Sequence, residues 1–305
     1  MLQDSHPVTV PRQYCKLCDR RDFDDERVLA MLRDIAGPGL DRETEMHRKL
    51  WEFAMLGIYL EDAGALRADA EALAIAAGSE APLYWLANRI RRVVATDIYG
   101  EGSFAYREAA VTMLSDPTAF APYPYREDHL EVRAMNALAL GFPDESFDIV
   151  YSISSIEHFG GPTEIARSAR EMARVLRPGG HAVIVTECLL GRHPLDVPLV
   201  NYAIRVVSRG RRCANATPRR RAVDAFTPRE LQRDIIGPSG LRLVQPLSLE
   251  QSPESLHNVI RWGTDGELDP AIAASRPHIV LRGFGAPWTS VFLALRKPGP
   301  HGAAR

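Results

Sequence analysis

Apolar and polar positions change rhythm along the chain, and each change marks a different kind of element. Up to about residue 64 the rhythm is helical. In DDERVLAMLRDI, Val28, Leu29, Leu32 and Ile35 share one face of a 3.6-residue period, and Gly37-Pro38-Gly39 interrupts it. RETEMHRKLWEFAMLGIYLEDAG then predicts a second amphipathic helix stopped at Gly64. Two such helices lack a layer of their own to pack on, so they are expected to cap the next domain. From Glu71 the pattern turns to short apolar runs: EALAIAA, RVVATD, LEVRAM, FDIVYSI and HAVIVTE are five candidate strands. Several are apolar throughout, as parallel strands covered on both faces are. PLYWLANRIR and PTEIARSAREMARVL lie between them and read as helices. The second has Pro162 in its first turn, an apolar stripe at Ile165, Ala169, Met172, Ala173 and Leu176, and a stop at Pro178-Gly179-Gly180. This alternation predicts an α/β fold with a doubly wound sheet. Further on, FTPRELQRDII reads as a capped helix, LRLVQPL as a sixth strand and TSVFLALRK as a seventh, with no internal repeat.

Composition narrows the classes. The 305 residues carry 37 Lys plus Arg against 39 Asp plus Glu, a net charge of −2, which excludes nucleic-acid binding by bulk charge. With 46% hydrophobic and 25% charged residues the chain has the make-up of a soluble globular protein. Only Lys16, Lys49 and Lys297 are lysines, so arginine supplies the positive charge. Arg209, Arg211, Arg212, Arg219, Arg220 and Arg221 gather in one segment, a candidate clamp for an anionic acceptor or a solvated lid. The N-terminus has no signal-peptide core and no apolar run reaches about 18 residues, so a cytoplasmic protein without a membrane span and with reduced thiols is expected. Cys15 and Cys18 form a CxxC that, with His6 or His47, could offer tetrahedral donors to zinc. No second CxxC exists and Cys188 and Cys213 stand apart, so a coincidental surface pair is the favoured reading.

Ligands of open α/β sheets bind beyond the carboxyl ends of the strands. After the first strand comes Ala76-Ala77-Gly78-Ser79-Glu80, and Asp97 closes the second strand 19 residues past Gly78. A carboxylate at that spacing suits ribose hydroxyls; a turn-capping carboxylate is the alternative. After the third strand MNALALGFPDESFDIVYS carries Asn136, and SISSIEHFGG and RVLRPGGHAVIVTE come next.

Here the sequence resembles the class I S-adenosylmethionine-dependent methyltransferases, whose members read acid-Ala-x-x-Leu-Pro-Phe, acid-x-x-Phe-Asp and Arg-Val-Leu-x-Pro-Gly-Gly in this order. LGFPDESFDIVYS and RVLRPGG carry the likeness, which is close over roughly residues 70 to 190 and loose over the last two strands. The resemblance implies a Rossmann-like, doubly wound seven-stranded sheet with its last strand antiparallel. With the strands so assigned, the expected division is an N-terminal helical cap over 1–64, a methyltransferase domain over 65–297 and a disordered tail over 298–305. It implies S-adenosylmethionine as cofactor, with the glycine loop at Ala76, Gly78 and Glu80, the ribose acid at Asp97, and the adenine-side residue at Asn136. Ser152 to Ser155 would line the methionine end, and His158 would face the methyl group or its acceptor. The chain departs from the family loop: Ala74, Ala76 and Glu80 replace the leading acid and two glycines. A pyrophosphate-binding loop would not tolerate this, whereas S-adenosylmethionine has no phosphate to bring close. Glu80 could hold its cation or interact with a helix dipole. Asn136 in place of the common Asp can still accept from an adenine amino group.

For a hydroxyl acceptor a base helps, and His158 has the chemistry; the alternative is a histidine packed into the SSIEHF turn. Glu157 completes a Ser154-x-x-Glu capping box, to which Ser154 and Ser155 are also assigned. The helix bearing His47, Arg48, Lys49 and Trp51 could close over the cofactor, an arginine meeting the methionine carboxylate, although a solvated charged face is the default. Trp85 reads as core and Asn88 as the polar end of its helix. The expected function is O-methylation of a polar small molecule or sugar or glycan precursor, an anionic one if the arginine segment serves as a clamp. The alternative is a catalytically silent module that binds the cofactor or a partner. WLANRIRRVVATDIYG and SSIEHFGG look most like bacterial methyltransferases of glycan and specialised-metabolite pathways. The absence of GxGxxG opposes a nicotinamide enzyme, and the lack of aromatic-basic interleaving opposes a nucleic-acid substrate.

Overall fold

The computed structural model describes residues 12–37, 45–102, 105, 108–192, 224–261, 270–283 and 286–299. The arginine segment, His6, Cys213 and residues 300–305 lie outside them. Ten strands form one sheet: β1 (Lys16–Leu17), β2 (Glu71–Ile75), β3 (Arg92–Asp97), β4 (Leu130–Ala134), β5 (Phe147–Ile153), β6 (Leu176–Leu189), β7 (Arg242–Leu243), β8 (Val259–Arg261), β9 (Val280–Arg282) and β10 (Pro287–Arg296). The order β4-β3-β2-β5-β6-β10-β9-β8 keeps the first five parallel and sets β10 antiparallel to β6. This is the doubly wound α/β architecture expected, with five parallel strands where the apolar runs fell.

The outer part differs from the seven strands expected. LRLVQPL yields only the two-residue β7, because β10 does not meet a single long neighbour on its outer edge. Three short strands from distant parts of the chain tile that edge: β9 pairs Pro287 and Trp288, β1 pairs Val291 and Phe292, and β7 pairs Leu295 and Arg296. An edge so covered exposes few unpaired amides.

The helices are α1 (Glu26–Ala36), α2 (Arg48–Asp62), α3 (Ala81–Ala87) and α4 (Pro162–Val175). Thr227 caps a further helical stretch that widens to a π-turn over Leu231–Ile236. α4 buries the stripe read from sequence, Gly161 N donating to Glu164 Oε2 at 3.0 Å at its start, and passes directly into β6. α2 departs from the amphipathic reading: Trp51 through Leu60 are all buried. It is sandwiched between α1 and the sheet, Trp51 meeting Phe292 edge-on, and Gly57 permits the close approach, since a Cβ there would lie 2.5 Å from Met31 Sδ. The N-terminal stretch is therefore built into the sheet through β1 and α2. Cys15 and Cys18 flank β1 and are buried, not a surface pair; Cys15 Sγ donates to Ala294 O. His47 Nδ1 accepts from Lys49 N, and no group of three or more His, Cys, Asp or Glu suited to a metal occurs among the described residues.

Candidate active site

The carboxyl ends of β2, β3, β5 and β6 converge with the N-terminus of α2. After β2 the chain turns sharply, with Ala76 and Gly78 both at φ 50°. Gly78 is required there twice over, because a Cβ would also sit 2.6 Å from Glu108 O. Ala76 holds a left-handed conformation that costs a non-glycine residue about 1–2 kcal/mol. Ser155 Oγ donates to Ala76 O at 2.9 Å, tying the loop after β2 to the turn after β5. Asp97, at the end of β3, accepts from Gly78 N at 2.9 Å and from Ile98 N at 2.7 Å. Burial pushes its carboxyl above the usual range against those two amides. Tyr99 OH closes the loop from the other side by donating to Gly78 O at 2.8 Å. The two residues singled out by their spacing are therefore in direct contact.

Glu80 precedes α3 but makes no capping hydrogen bond. Its Oε1 lies 2.5 Å from Lys49 Nζ, which also stands 3.6 Å from Glu52 Oε2. Burial raises Glu80 to about 7, with Glu52 and Asp97 adding to the rise and Lys49 opposing it. Lys49 is raised in turn: burial works against its charge, and Glu80 and Glu52 more than offset it. Glu52 is fully buried and accepts from Ser154 Oγ at 2.9 Å, from Arg48 at 3.1 Å and from Ser290 Oγ. Arg48 Nη1 reaches Glu187 at 2.9 Å at the end of β6. Thr186 Oγ1 donates to Glu157 Oε2 at 2.7 Å. Burial and the neighbouring carboxylate push Glu157 far up, whereas Arg48 brings Glu187 below its ordinary value despite burial.

These contacts correct two sequence readings. Arg48 and Lys49 are not a solvated face; half-buried, they are held in ion pairs because α2 starts among three strand ends. The Ser154-x-x-Glu157 box does not form: Ser154 serves Glu52, Ser155 serves Ala76 and Ile153, and Glu157 turns to Thr186. Glu52 and Glu187 had not been singled out, although the Arg48 to Glu52 spacing of four on a helix was a readable signal.

The remaining candidates are more scattered. Asn136 is exposed after β4, its Oδ1 accepting from Leu138 N at 2.8 Å with one lone pair to spare. Ser152 is buried within β5, sharing the parity of Val150, which packs on the α4 side of the sheet. His158 ends the short turn Ile156–His158 with 37% of its side chain exposed. Trp85 is core as read, with Nε1 on Asp34 Oδ2 at 2.6 Å, and Asn88 ends α3 by bonding Pro124 O and Arg126 N.

S-adenosylmethionine combines a sulfonium, an ammonium and a carboxylate, a net single positive charge. The groups at the strand ends fit it: Arg48 and Lys49 face the ionisable carboxyls Glu52, Glu80 and Glu187, with Asp97 beside the loop. The buried atoms Tyr151 OH and Arg48 Nε have no hydrogen-bond partner among the described residues.

A family described as a methyltransferase domain matches residues 73–184. A probable tRNA methyltransferase 9B of Mus musculus is 44% identical over 54 residues, 18% of this chain and 12% of that protein. The 27-O-demethylrifamycin SV methyltransferase of Amycolatopsis mediterranei is 30% identical over 145 residues, 48% of each chain. This chain thus spans less than half the length of either curated relative. Among solved structures, the YcgJ protein of Bacillus subtilis overlays with a TM-score of 0.45 at 18% identity, over 80% of this chain and 97% of that one.

Proposed function

The chain carries a class I S-adenosylmethionine-dependent methyltransferase domain, and from that premise we propose that it is a methyltransferase acting on oxygen of a polar small molecule or a sugar or glycan precursor. The observation that carries the reading is the 2.9 Å contact between Gly78 N and Asp97, inside the matched region, which gathers loop and acid at one ligand edge. S-adenosylmethionine, when bound, supplies an already activated methyl group. The protein's part is to bind, orient and move one proton.

In this reading Asp97 holds the ribose hydroxyls with the outer lone pairs of its carboxylate, and Asn136 stands on the adenine side. Glu80 and Lys49 are the cation and anion partners for the amino-acid end. Glu52 and Arg48 keep Lys49 from drifting, so the charges at the donor end are set before any ligand arrives. His158, three residues past the Ser155 that bonds Ala76 O, takes the acceptor's proton. Residues 65–297 are read as the catalytic unit and 1–64 as the stretch that closes it. No described helix is long and apolar enough to cross a membrane, and a cytoplasmic setting belongs to this reading.

Isothermal titration with S-adenosylhomocysteine tests the cofactor reading. Saturable binding is expected, and no heat at millimolar ligand sinks it. Incubating cell extract with a labelled methyl donor then separates an enzyme from a silent module: label on a small molecule supports transfer, and binding without transfer favours the module.

A further inference from the structure

One ammonium stands between two carboxyls where α2 begins. Lys49 Nζ lies 2.5 Å from Glu80 Oε1 and 3.6 Å from Glu52 Oε2, so it is hydrogen-bonded to the first and held near the second by charge. A shift of about 0.7 Å brings the second to an ordinary N–O hydrogen-bond length. Glu52 has a place for it. Its Oε1 accepts from Arg48 and Ser290, while among the described residues Oε2 accepts from Ser154, and each carboxylate oxygen has two lone pairs. The two acids also differ in what neutralises them. Glu52 keeps Arg48 as a counter-ion with or without Lys49, whereas Lys49 is the one ion-pair partner of Glu80 among the described residues. The Glu80 side chain is 16% exposed and that of Glu52 not at all, so a ligand meets the pair from the Glu80 side. Close by, the Tyr151 hydroxyl is buried without a hydrogen-bond partner among the described residues, and Glu80 and Tyr99 are its ionisable neighbours.

We propose that Lys49 is an exchangeable counter-ion: it closes Glu80 in the free protein, and a ligand whose tail carries both an ammonium and a carboxylate re-pairs the site. The ligand's ammonium takes Glu80, Lys49 moves to the open lone pair of Glu52, and from there it faces the ligand's carboxylate. The protein's charges stay as they are, and their pairing changes. Breaking a buried ion pair is costly when a charge is left uncompensated, and a zwitterionic tail leaves none so. A tail without the ammonium leaves Lys49 on Glu80, and a tail without the carboxylate offers the displaced Lys49 no new anion. The closed pair thus selects for an amino-acid tail whatever the nucleoside, and the Tyr151 hydroxyl gains in that tail the partner it lacks. The exchange rests on the cofactor reading above; the pairing of Lys49 with Glu80 in the free protein does not.

Lys16, Lys49 and Lys297 are the chain's only lysines, so Lys49 can be read directly by magnetic resonance on the full chain. The ends of the lysine side chains are isotope-labelled, and the Lys49 signal is assigned by its loss in Lys49→Arg. Two probes are titrated in: S-adenosylhomocysteine, which has the amino-acid tail, and methylthioadenosine, a nucleoside thioether without it. Expected are a displaced Lys49 signal with the first probe and an unmoved one with the second. Glu80→Gln without ligand should move the signal in the same direction as S-adenosylhomocysteine moves it in the wild type. In that variant the calorimetric preference for the tailed probe should fall at least about tenfold, as loss of a charged hydrogen bond requires. S-adenosylhomocysteine binding that leaves the Lys49 signal in place overturns the exchange and leaves the cofactor reading standing. So does a signal that moves equally with the tailless probe, or an unchanged preference in Glu80→Gln. A Glu80→Gln signal that coincides with the free wild type overturns the resident pair. No heat with S-adenosylhomocysteine removes the cofactor reading and the exchange with it. Should Glu80→Gln fail to fold, the two wild-type titrations decide.

Discussion

Replacing Lys49 by methionine removes the ammonium 2.5 Å from Glu80 while keeping an unbranched stem of similar length. In the folded protein Glu80 sits at about 7, against an ordinary value of 4.5. Between those values the native state keeps a proton that the unfolded chain has released. Stability therefore falls as pH rises, by about 1.4 kcal/mol per unit and about 3 kcal/mol in all, then levels above 7. Lys49 is the chief group holding Glu80 down. Without it the folded value moves higher, and the decline continues where the wild type has levelled. The stability gap between wild type and Lys49→Met should therefore widen by about 2 kcal/mol between pH 7 and pH 8.5. Its ceiling is about 3–5 kcal/mol, the cost of breaking a buried ion pair. Urea unfolding followed by tryptophan fluorescence at pH 6 to 9 and fixed salt measures the gap, and Lys49→Arg, which keeps the charge, should narrow it. Curves for wild type and Lys49→Met that stay parallel from pH 6 to 9 refute the reasoning.

Asp97→Ala should weaken S-adenosylhomocysteine binding by about 1.5–3 kcal/mol, since it removes charged hydrogen bonds and loosens the loop at Gly78; unchanged affinity by calorimetry means that the ribose assignment is wrong. Gly78→Ala meets Glu108 O at 2.6 Å and a φ of +50°, whereas Gly64→Ala at φ +62° meets nothing within 4 Å. The first should lower stability by about 2 kcal/mol more than the second in the same urea assay, and equal losses contradict the close approach. Cys15, Cys18 and Cys188 have no exposed surface, so peptide mapping after thiol labelling should find all three unmodified until the chain unfolds. Labelling of any one at the rate of a free thiol contradicts its burial.

How local each signal is decides how much of it the sequence could display. The parallel strands announced themselves because EALAI and FDIVYSI need cover on both faces, and Asp97 announced itself because a strand, a turn and a helix fix its distance from Gly78. The outer edge of β10 could not be read, since a two-residue strand has no periodicity. The charge network escaped for a related reason. Arg48 and Lys49 look like the wet side of a helix until the residues that neutralise them, Glu187 and Glu80, arrive from 139 and 31 positions further along the chain. Ser154 and Glu157 satisfied a capping pattern, yet a buried carboxylate at Glu52 and a hydroxyl at Thr186 competed for them more strongly than the free amides of a three-residue turn.

The three short strands on β10 also set an order of events. β1 at residues 16–17, β7 at 242–243 and β9 at 280–282 have no sheet to join until 287–296 has been made, and Trp51 of α2 meets the same strand at Phe292. During synthesis the parallel half from β2 to β6 can assemble early, while β1 must wait until residues 287–296 have left the ribosome. That waiting time leaves the apolar flank of α2 open to chaperones and to other nascent chains until β10 slides into place.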